Sequence, residues 1–306
     1  MSANLVQDCP SAWSNVQLDH TSPSQLNQPM SRWIYQYVLH TPEERRAQNP
    51  NLRMMGGSAV NHALDMIYAG QGAEMGRGEE VQMAASVDQA VEAAQKFMRD
   101  TVVWDDDAVR RDKYADEIEA VVVNAMEQID AFDSPVVALE KYAHWHPSWA
   151  PVPITGYADF ILENGIIIEL KTKWPRQATN KNGETTWRTS SNPSAPINNW
   201  TRQATVYHKA FGGPVYIVSA NSLNARKYAI NTFELDAAEA NLMARLLERH
   251  EALLDLEKAP DREQGLQQLL RRHPADFDDI YWNEDPDVLG DAKRRWDEAI
   301  NAWINT

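Results

Sequence analysis

The chain has 306 residues, of which 43% are hydrophobic and 24% are charged, and its formal net charge is −15. This composition is ordinary for a globular protein and argues against global disorder. The single cysteine, Cys9, excludes a disulfide framework and any zinc or iron–sulfur site that needs several thiolates. No apolar run approaches the roughly 20 residues of a membrane-spanning helix. The first residues also lack the basic start and apolar core of a signal peptide. We therefore expect a soluble, intracellular protein.

The acidic balance argues against a surface that binds nucleic acid over its whole extent, because such binding depends on neutralising phosphates. Net charge, however, says nothing about how charges are distributed. A bound metal ion also adds positive charge at its site. The composition therefore still allows an acidic protein that binds nucleic acid in one basic channel.

The N-terminal half is predicted to be helical after a flexible arm at residues 1–20. From Ser22, apolar residues recur at helical spacing to about residue 40, and Ser22 or Ser24 can cap the start. A second helix is predicted in GGSAVNHALDMIYAG (56–70), with glycines at both ends. A helical insertion at 86–131 contains two more amphipathic patterns, near 86–100 and 106–131.

The pattern changes at Pro135 to short apolar segments rich in β-branched residues. The segments PVVALEKYAHW, VPITGYADFIL and IIIELKT read as strands, and Asn164–Gly165 reads as the turn of a hairpin. A polar loop without clear periodicity follows to about residue 199. A helix in NWTRQATVYHKAFG and the strands PVYIVSA and ARKYAINTF come next. We predict an α/β fold, with a central mixed sheet of about five strands flanked by helices and with helical additions at both ends.

The predicted hairpin carries the residues with the clearest chemical pattern. Asp159 lies near the end of one strand, while Glu169 and Lys171 lie two apart on the next, so their side chains share one face. Carboxylates suit hard Mg²⁺ or Mn²⁺, which activates water and polarises a phosphate. A lysine can orient the water or stabilise charge on phosphorus.

The same spacing also fits an ordinary strand pair with a surface Glu–Lys couple. The neighbouring apolar residues, Ile166, Ile167, Ile168 and Leu170, instead indicate a strand that is buried on both faces. Burying an unpaired Glu and Lys there costs several kcal/mol. A functional site that uses both residues is the simpler interpretation.

This segment resembles the core motif of the PD-(D/E)xK nuclease superfamily, with Asp159, Glu169 and Lys171 as its first acid, second acid and lysine. The order of the other segments is similar to the RecB-like branch, which includes the CRISPR-associated adaptation nucleases. SPSQLNQPMSRWIYQY resembles the N-terminal helix of the branch. GSAVNHALDMI resembles the helix with the metal-binding histidine, here His62, and QATVYHKA resembles the Gln-x-x-x-Tyr helix.

The resemblance implies a restriction-endonuclease-like core at residues 21–234 and leaves residues 235–306 as a helical C-terminal extension. It implies a metal-dependent DNA nuclease, with an exonuclease of recombination, repair or phage-type DNA processing preferred. The implied compartment is the cytoplasm of a bacterium or of a phage-infected host cell. The implied partners are DNA and, beyond it, a recombination or replication protein or a second copy of the chain, with no membrane.

The resemblance also implies a role for each site residue. The metal, Mg²⁺ or Mn²⁺, is held by His62, Asp159, Glu169 and the backbone carbonyl of Leu170. Lys171 activates water, and Gln203 and Tyr207, at i and i+4 on one helix face, orient the lysine or contact DNA. Taken alone, His62 fits a packed or exposed helix histidine, and the Gln–Tyr pair fits amphipathic packing.

Two departures from the RecB-like pattern affect these expectations. Met30 and Ser31 stand where many members have a Cys-Pro pair, and no downstream cysteines follow, so we expect no iron–sulfur cluster. Side-chain packing, in place of a cluster, must then hold the N-terminal and C-terminal flanks of the domain together. Glu169 stands where the branch often has Asp, and its extra methylene shifts the metal slightly.

A basic segment interleaved with tryptophans follows the hairpin. Its cations can track phosphates while its aromatic rings stack on bases. The alternative is a solvated loop whose tryptophans pack on the rest of the protein. The loop could also become ordered only when it binds DNA. The predicted DNA-binding residues are Lys173, Trp174, Arg176, Lys181, Trp187, Arg188 and Arg202.

Two other functions fit the same residues. One is a structure-specific endonuclease, which closed circular DNA as substrate would reveal. The other is a non-catalytic subunit that binds DNA ends or assembles a complex. The set of Asp, Glu, Lys, His, Gln and Tyr argues against the second, because a structural role does not require all six.

Overall fold

The computed structural model describes residues 10–46, 51–78, 82–101, 107–282 and 286–304. The chain divides into two compact units. The terminal unit consists of Met1–Asn49, His144–Thr155 and Glu239–Thr306, and the sheet unit consists of Pro50–Ala143 and Gly156–Ala238. The terminal unit thus contains residues 21–46 together with the helices that follow residue 239.

The secondary structure follows the predicted order. The helices within the described ranges are α1 (Ser11–Ser14), α2 (Pro23–Asn27), α3 (Met30–Trp33), α4 (Pro42–Arg46), α5 (Leu52–Gly70), α6 (Val87–Asp100), α7 (Ala108–Asp130), α8 (Asn198–Phe211), α9 (Thr232–Lys258), α10 (Arg262–Arg272) and α11 (Pro286–Ile304). A π-helical turn lies at Ile34–Val38 and a 3₁₀ turn at Ile280–Trp282. The strands are β1 (Glu74–Met75), β2 (Val136–Trp145), β3 (Ile154–Leu162), β4 (Ile167–Thr172), β5 (Arg176–Thr179), β6 (Thr185–Arg188), β7 (Val215–Ala220) and β8 (Ala225–Ala229). Across these described helices, none has both the length and the apolar character needed to cross a membrane.

The central sheet has six strands in the order β1-β2-β3-β4-β7-β8. β4 runs parallel to β7, while β3–β4 and β7–β8 are antiparallel pairs. A parallel pair needs a crossover connection, and here the crossover between β4 and β7 contains α8. The predicted α/β fold with a mixed, helix-flanked sheet is confirmed.

The hairpin that carries the candidate site forms as predicted. Gly165 has a φ of 81°, a left-handed conformation that glycine adopts without steric cost, and Phe160 pairs with Ile168 across the strands. Residues 167–170 of β4 are all buried. Ile168 and Leu170 belong to the apolar core that α5, α6 and α7 also line. The other face of β4 is thereby left for Glu169 and Lys171.

The segment after β4 corrects the prediction of a loop without regular structure. β5 and β6 form a separate antiparallel hairpin in which Arg176 pairs with Arg188. Gly183 has a φ of 83°, and Oδ1 of Asn180 accepts hydrogen bonds from the backbone of Asn182 and Glu184. The side-chain amide of Asn180 therefore closes the turn locally, a role that asparagine commonly has in turns.

In the terminal unit, residues 10–20 are not the flexible arm that the composition suggested. Trp13 of α1 is fully buried, and its Nε1 donates to Nδ1 of His250 at 3.0 Å. The indole supplies both apolar area and one satisfied donor, which explains why this short segment folds. Residues 1–9, including Cys9, lie outside the described residues.

Packing within the terminal unit joins the N-terminal helices to the C-terminal ones. Arg249 of α9 is fully buried, and its guanidinium donates to the carbonyl oxygens of Gln25, Leu26 and Gln28 at 3.3, 3.4 and 2.8 Å. Tyr35 packs edge-on against Trp282 at 5.5 Å between ring centroids. The buried guanidinium and the aromatic rings thus pack the N-terminal and C-terminal segments of this unit against each other.

Arg249→Met is expected to lower the free energy of unfolding of the terminal unit by about 1–3 kcal/mol, because the carbonyl oxygen of Gln28 loses its donor and those of Gln25 and Leu26 each lose one of two donors. Arg249→Lys is expected to recover little, because one ammonium cannot reproduce the planar fork of donors. Urea unfolding followed by tryptophan fluorescence measures this change. Arg294→Met, which removes an exposed arginine of α11, is the control, and equal stability of all variants would contradict the prediction.

Candidate active site

Two carboxyl groups lie side by side on β3 and β4. Asp159 is 7% exposed and Glu169 is 3% exposed. Oδ2 of Asp159 accepts a hydrogen bond from the backbone N–H of Leu170 at 2.6 Å. Oε2 of Glu169 is buried, and no hydrogen-bond donor of the described residues reaches it. A proton or a cation held between the two carboxyl groups would satisfy that oxygen.

Burial and mutual repulsion set the electrostatics of this pair. Burial, followed by the charge of Glu169, raises the pKa of Asp159 well above its ordinary value. Burial also raises the pKa of Glu169, while the Lys171 ammonium opposes that shift. Two carboxylates in a low-dielectric site favour a proton or a cation between them. The pair is therefore a candidate position for a divalent cation.

Lys171 connects the acids to α8 through an ordered relay. Its Nζ donates to Oε1 of Glu169 at 2.5 Å and to Oε1 of Gln203 at 2.7 Å. Nε2 of Gln203 donates to Oη of Tyr207 at 2.8 Å, and Oη donates to the backbone carbonyl of Tyr157 at 2.6 Å. An ammonium has three donors, so one remains for water or a phosphate oxygen. The structure thus brings Asp159 and the Glu169–Lys171 pair together with both predicted α8 residues.

The structure does not bring His62 to these carboxyl groups. His62 is exposed, and its ring lies 6.3 Å from the ring of Phe97, measured between centroids. The neighbouring residue, Asn61, instead donates from Nδ2 to Oδ1 of Asp159 at 3.0 Å. One residue along a helix turns the side chain by about 100°, which separates the two directions. The side chain of this helix that contacts Asp159 is therefore Asn61 and not the predicted His62.

A further acid, Asp65, was missed by the sequence analysis. It lies one turn after Asn61 on α5 and is 6% exposed. Burial raises the pKa of Asp65 to about 8, and the charges of Glu140 and Asp159 add to the shift. An acidic residue among the buried residues of an otherwise apolar helix face is the signal that could have identified it.

Asp65→Asn is expected to stabilise the metal-free protein increasingly as the pH rises from about 4 to 8. The unfolded carboxyl ionises near its ordinary pKa of about 3.9, whereas the folded one keeps its proton until about pH 8. Stability from this group is therefore full below pH 4 and is lost as the pH passes through 8. The folded and unfolded pKa values differ by about four units of about 1.4 kcal/mol each, so we expect a gain of about 4–6 kcal/mol at pH 9.

Urea unfolding in EDTA at pH 5, 7 and 9 measures the Asp65→Asn gain. The control is Glu119→Gln, which removes an exposed charge from α7. A gain that does not depend on pH would contradict the expectation for Asp65.

Two of the predicted DNA-binding residues are structural instead. Trp174 is 5% exposed and stacks on Tyr114 at 4.8 Å between ring centroids. A Cβ at Gly56 of α5 would lie 2.6 Å from the Trp174 ring, so glycine there makes room for the indole. Arg202 is 5% exposed and bonds to Asn199. Neither side chain is free to contact DNA, which corrects both assignments.

The other predicted DNA-binding residues remain accessible to different degrees. Arg176, Lys181 and Arg188 are exposed on the β5–β6 hairpin, and Trp187 is half-buried there. Nζ of Lys173 lies 5.0 Å above the ring of Trp200.

Lys173 also marks a local concentration of positive charge. Burial lowers its pKa, and the charges of Arg53 and Lys171 lower it further. Lys173 therefore lies within electrostatic reach of two other cations in a chain of net charge −15. Arg53, in the first turn of α5, was not identified from the sequence.

Comparison with known proteins gives weak likenesses. No protein-family model matches the chain, and no curated protein matches it significantly. A crystal structure from Eubacterium rectale, named a "putative exonuclease", aligns with a TM-score of 0.46 and 12% identity over 86% of this chain and 90% of that one. The protein SSO0001 aligns with a TM-score of 0.26 and 17% identity over 51% of this chain and 75% of that one. Neither likeness is close enough to assign an activity.

Proposed function

We propose that this chain is a metal-dependent DNA nuclease with the restriction-endonuclease-like core of the RecB-like PD-(D/E)xK branch. The observation that carries the proposal is the position of Lys171, whose ammonium bridges Glu169 and Gln203 beside the buried Asp159. A purely structural Glu–Lys pair does not need a second buried acid within its reach. Metal-assisted phosphodiester hydrolysis can use such acids to hold the metal and such a cation beside the phosphate.

The donor set suits a hard divalent cation that keeps several waters. No cluster of three or more His, Cys, Asp or Glu side chains that could hold a metal occurs among the described residues. Mg²⁺ often uses only one or two carboxylates, however, and Asp159 and Glu169 supply two. The unsatisfied Oε2 of Glu169 supports this fit. The carbonyl of Leu170 completes the proposed protein ligands.

When bound, Mg²⁺ or Mn²⁺ supplies Lewis acidity and lowers the pKa of a coordinated water. Lys171 orients the attacking water or stabilises charge on the phosphoryl oxygens with its remaining donor. Gln203 holds the lysine, and Tyr207 holds the amide of Gln203 in the orientation that presents oxygen to Lys171. The exposed Arg176, Lys181 and Arg188, with the half-buried Lys173 and Trp187, are the remaining DNA-contacting candidates.

The first experiment compares linear and covalently closed circular DNA, each single- and double-stranded, with Mg²⁺, Mn²⁺ or EDTA. Metal-dependent loss of the linear substrates alone is expected, since an exonuclease in recombination, repair or phage-type DNA processing is the preferred role. Cutting of circles would instead identify an endonuclease. Absence of cleavage with either metal would leave the non-catalytic DNA-end-binding subunit as the better description.

The proposed setting follows from this activity. DNA is the partner of the site, and a recombination or replication protein or a second copy of the chain would load an acidic nuclease onto its substrate. The proposed compartment is the cytoplasm of a bacterium or of a phage-infected host cell.

A further inference from the structure

A polar cavity lies where β7 turns into β8. Its volume is about 290 Å³, and it is lined by residues 189–192, which follow β6, and by residues within 221–226. The lining consists mainly of Ser, Thr and Asn, with Arg226 as its cation and no carboxylate among the described lining residues. In a chain of net charge −15, a cation-bearing cavity without acids is suited to an anion.

Strand register places this cavity at the end of a row that begins at the candidate active site. Lys171 pairs with Ser219 across β4 and β7, and Ser219 pairs with Arg226 across β7 and β8. Residues paired in this way point to the same face of a sheet. Lys171, Ser219 and Arg226 therefore share one face. Adjacent strands lie about 4.8 Å apart, so the Cα atoms of Lys171 and Arg226 are about 10 Å apart.

Hydrogen bonds hold the wall of the cavity in place. Oγ of Ser219 donates to Oδ1 of Asn192 at 2.8 Å, and Nδ2 of Asn192 donates to Oδ1 of Asn224 at 2.9 Å. Oγ of Ser190 donates to the carbonyl of Trp174 at 2.7 Å. Nη1 of Arg226 donates to the carbonyl of Pro193 at 3.1 Å. The guanidinium has five N–H donors, so this bond leaves others for a ligand.

We propose that the cavity binds the sugar–phosphate backbone of the DNA strand that is cut, beside the scissile phosphate. This inference rests on the proposed nuclease function and names a substrate contact for the same site. Because the Cα atoms of Lys171 and Arg226 lie about 10 Å apart, Arg226 contacts a phosphate close to the scissile one and not the scissile phosphate itself. Ser, Thr and Asn groups are the neutral donors that commonly contact phosphate and sugar.

The test is DNA binding without cleavage, measured in EDTA by the anisotropy of a 5′-fluorescein 20-nucleotide single strand. Arg226→Gln is compared with Lys227→Gln. The two substitutions remove the same charge from adjacent residues of β8, but neighbouring strand residues point to opposite faces. Nζ of Lys227 lies over the ring of Phe132 at 4.5 Å.

Arg226→Gln is expected to weaken binding about fivefold at 0.1 M salt and to reduce the slope of log K against log [salt] by about 0.7, the value for one single-strand phosphate contact. Lys227→Gln is expected to change neither quantity. Equal effects of the two substitutions, or no binding by the wild-type chain, would overturn the inference. If binding depends on Arg226 but DNA is not cleaved in Mg²⁺, the cavity binds DNA and the proposed nuclease function is wrong. If DNA is cleaved but Arg226→Gln does not change binding, the nuclease function stands and the proposed role of the cavity is wrong.

Discussion

Lys171→Ala is expected to reduce metal-dependent DNA cleavage by about 10²–10³-fold, the loss that follows removal of one preorganised donor from a transition state. The ammonium of Lys171 is held by Glu169 and Gln203, so it requires little reorganisation during the reaction. Initial rates on linear DNA in Mg²⁺ and Mn²⁺ measure the effect. Thermal melting of the variant shows whether the fold is retained.

A graded series tests whether Gln203 acts through the lysine. Gln203→Leu removes one of the two groups that hold Nζ, so a loss of about tenfold is expected, smaller than that of Lys171→Ala. Lys227→Ala removes the same charge from β8 and is expected to leave the rate unchanged. Full activity in Lys171→Ala would remove this lysine from the reaction. Loss of activity in Lys227→Ala as well would point to net charge as the cause.

Asp159→Asn is expected to abolish cleavage and, in the same molecule, to raise the stability of the metal-free protein. The pKa of the Asp159 carboxyl is raised in the folded chain, so stability from this group is present below its ordinary pKa and is lost as the pH rises through the folded value. Asparagine carries no such charge at any pH. We expect a gain of about 1–3 kcal/mol at pH 8 in EDTA, and a smaller gain at pH 6.

Metal binding provides a second readout for Asp159 that does not depend on activity. Millimolar Mg²⁺ or Mn²⁺ is expected to raise the melting temperature of the wild type, because a ligand at about 100 times its Kd stabilises by about 2.7 kcal/mol. Asp159→Asn should lose most of this rise. The control is Glu163→Gln, which removes an exposed charge from the same hairpin. A metal-induced rise of the same size in Asp159→Asn would exclude this carboxyl as a ligand.

The proposed site thus reduces stability in the absence of metal. The two acids and the nearby Asp65 are all buried, and burial raises the pKa of each one. Groups of like charge are retained in a low-dielectric interior at a cost to folding, and functional sites commonly show such perturbed pKa values. The two stability predictions for the metal-free protein, at Asp65 and Asp159, follow from this cost.

The sequence by itself determined the features that depend on local periodicity. The turn at Asn164–Gly165 predicted the β3–β4 hairpin, and spacing of two residues placed Glu169 and Lys171 on one face of β4. The i, i+4 spacing predicted that Gln203 and Tyr207 share a helix face. In the structure, Nε2 of Gln203 donates a hydrogen bond to Oη of Tyr207. These relations hold because strand and helix geometry repeat over a few residues, independently of the rest of the chain.

Tertiary structure decided which face of each element meets which neighbour. The rotation of α5 turned Asn61, and not His62, toward Asp159. Packing buried Trp174 against Tyr114, although its sequence context resembles a DNA-contacting loop. Register across β4, β7 and β8 aligned Arg226 with Lys171, residues far apart in the chain. A periodic pattern shows which residues share one face of a helix or strand. Long-range packing determines which neighbouring element that face contacts, and the local pattern of a single sequence does not identify that neighbour.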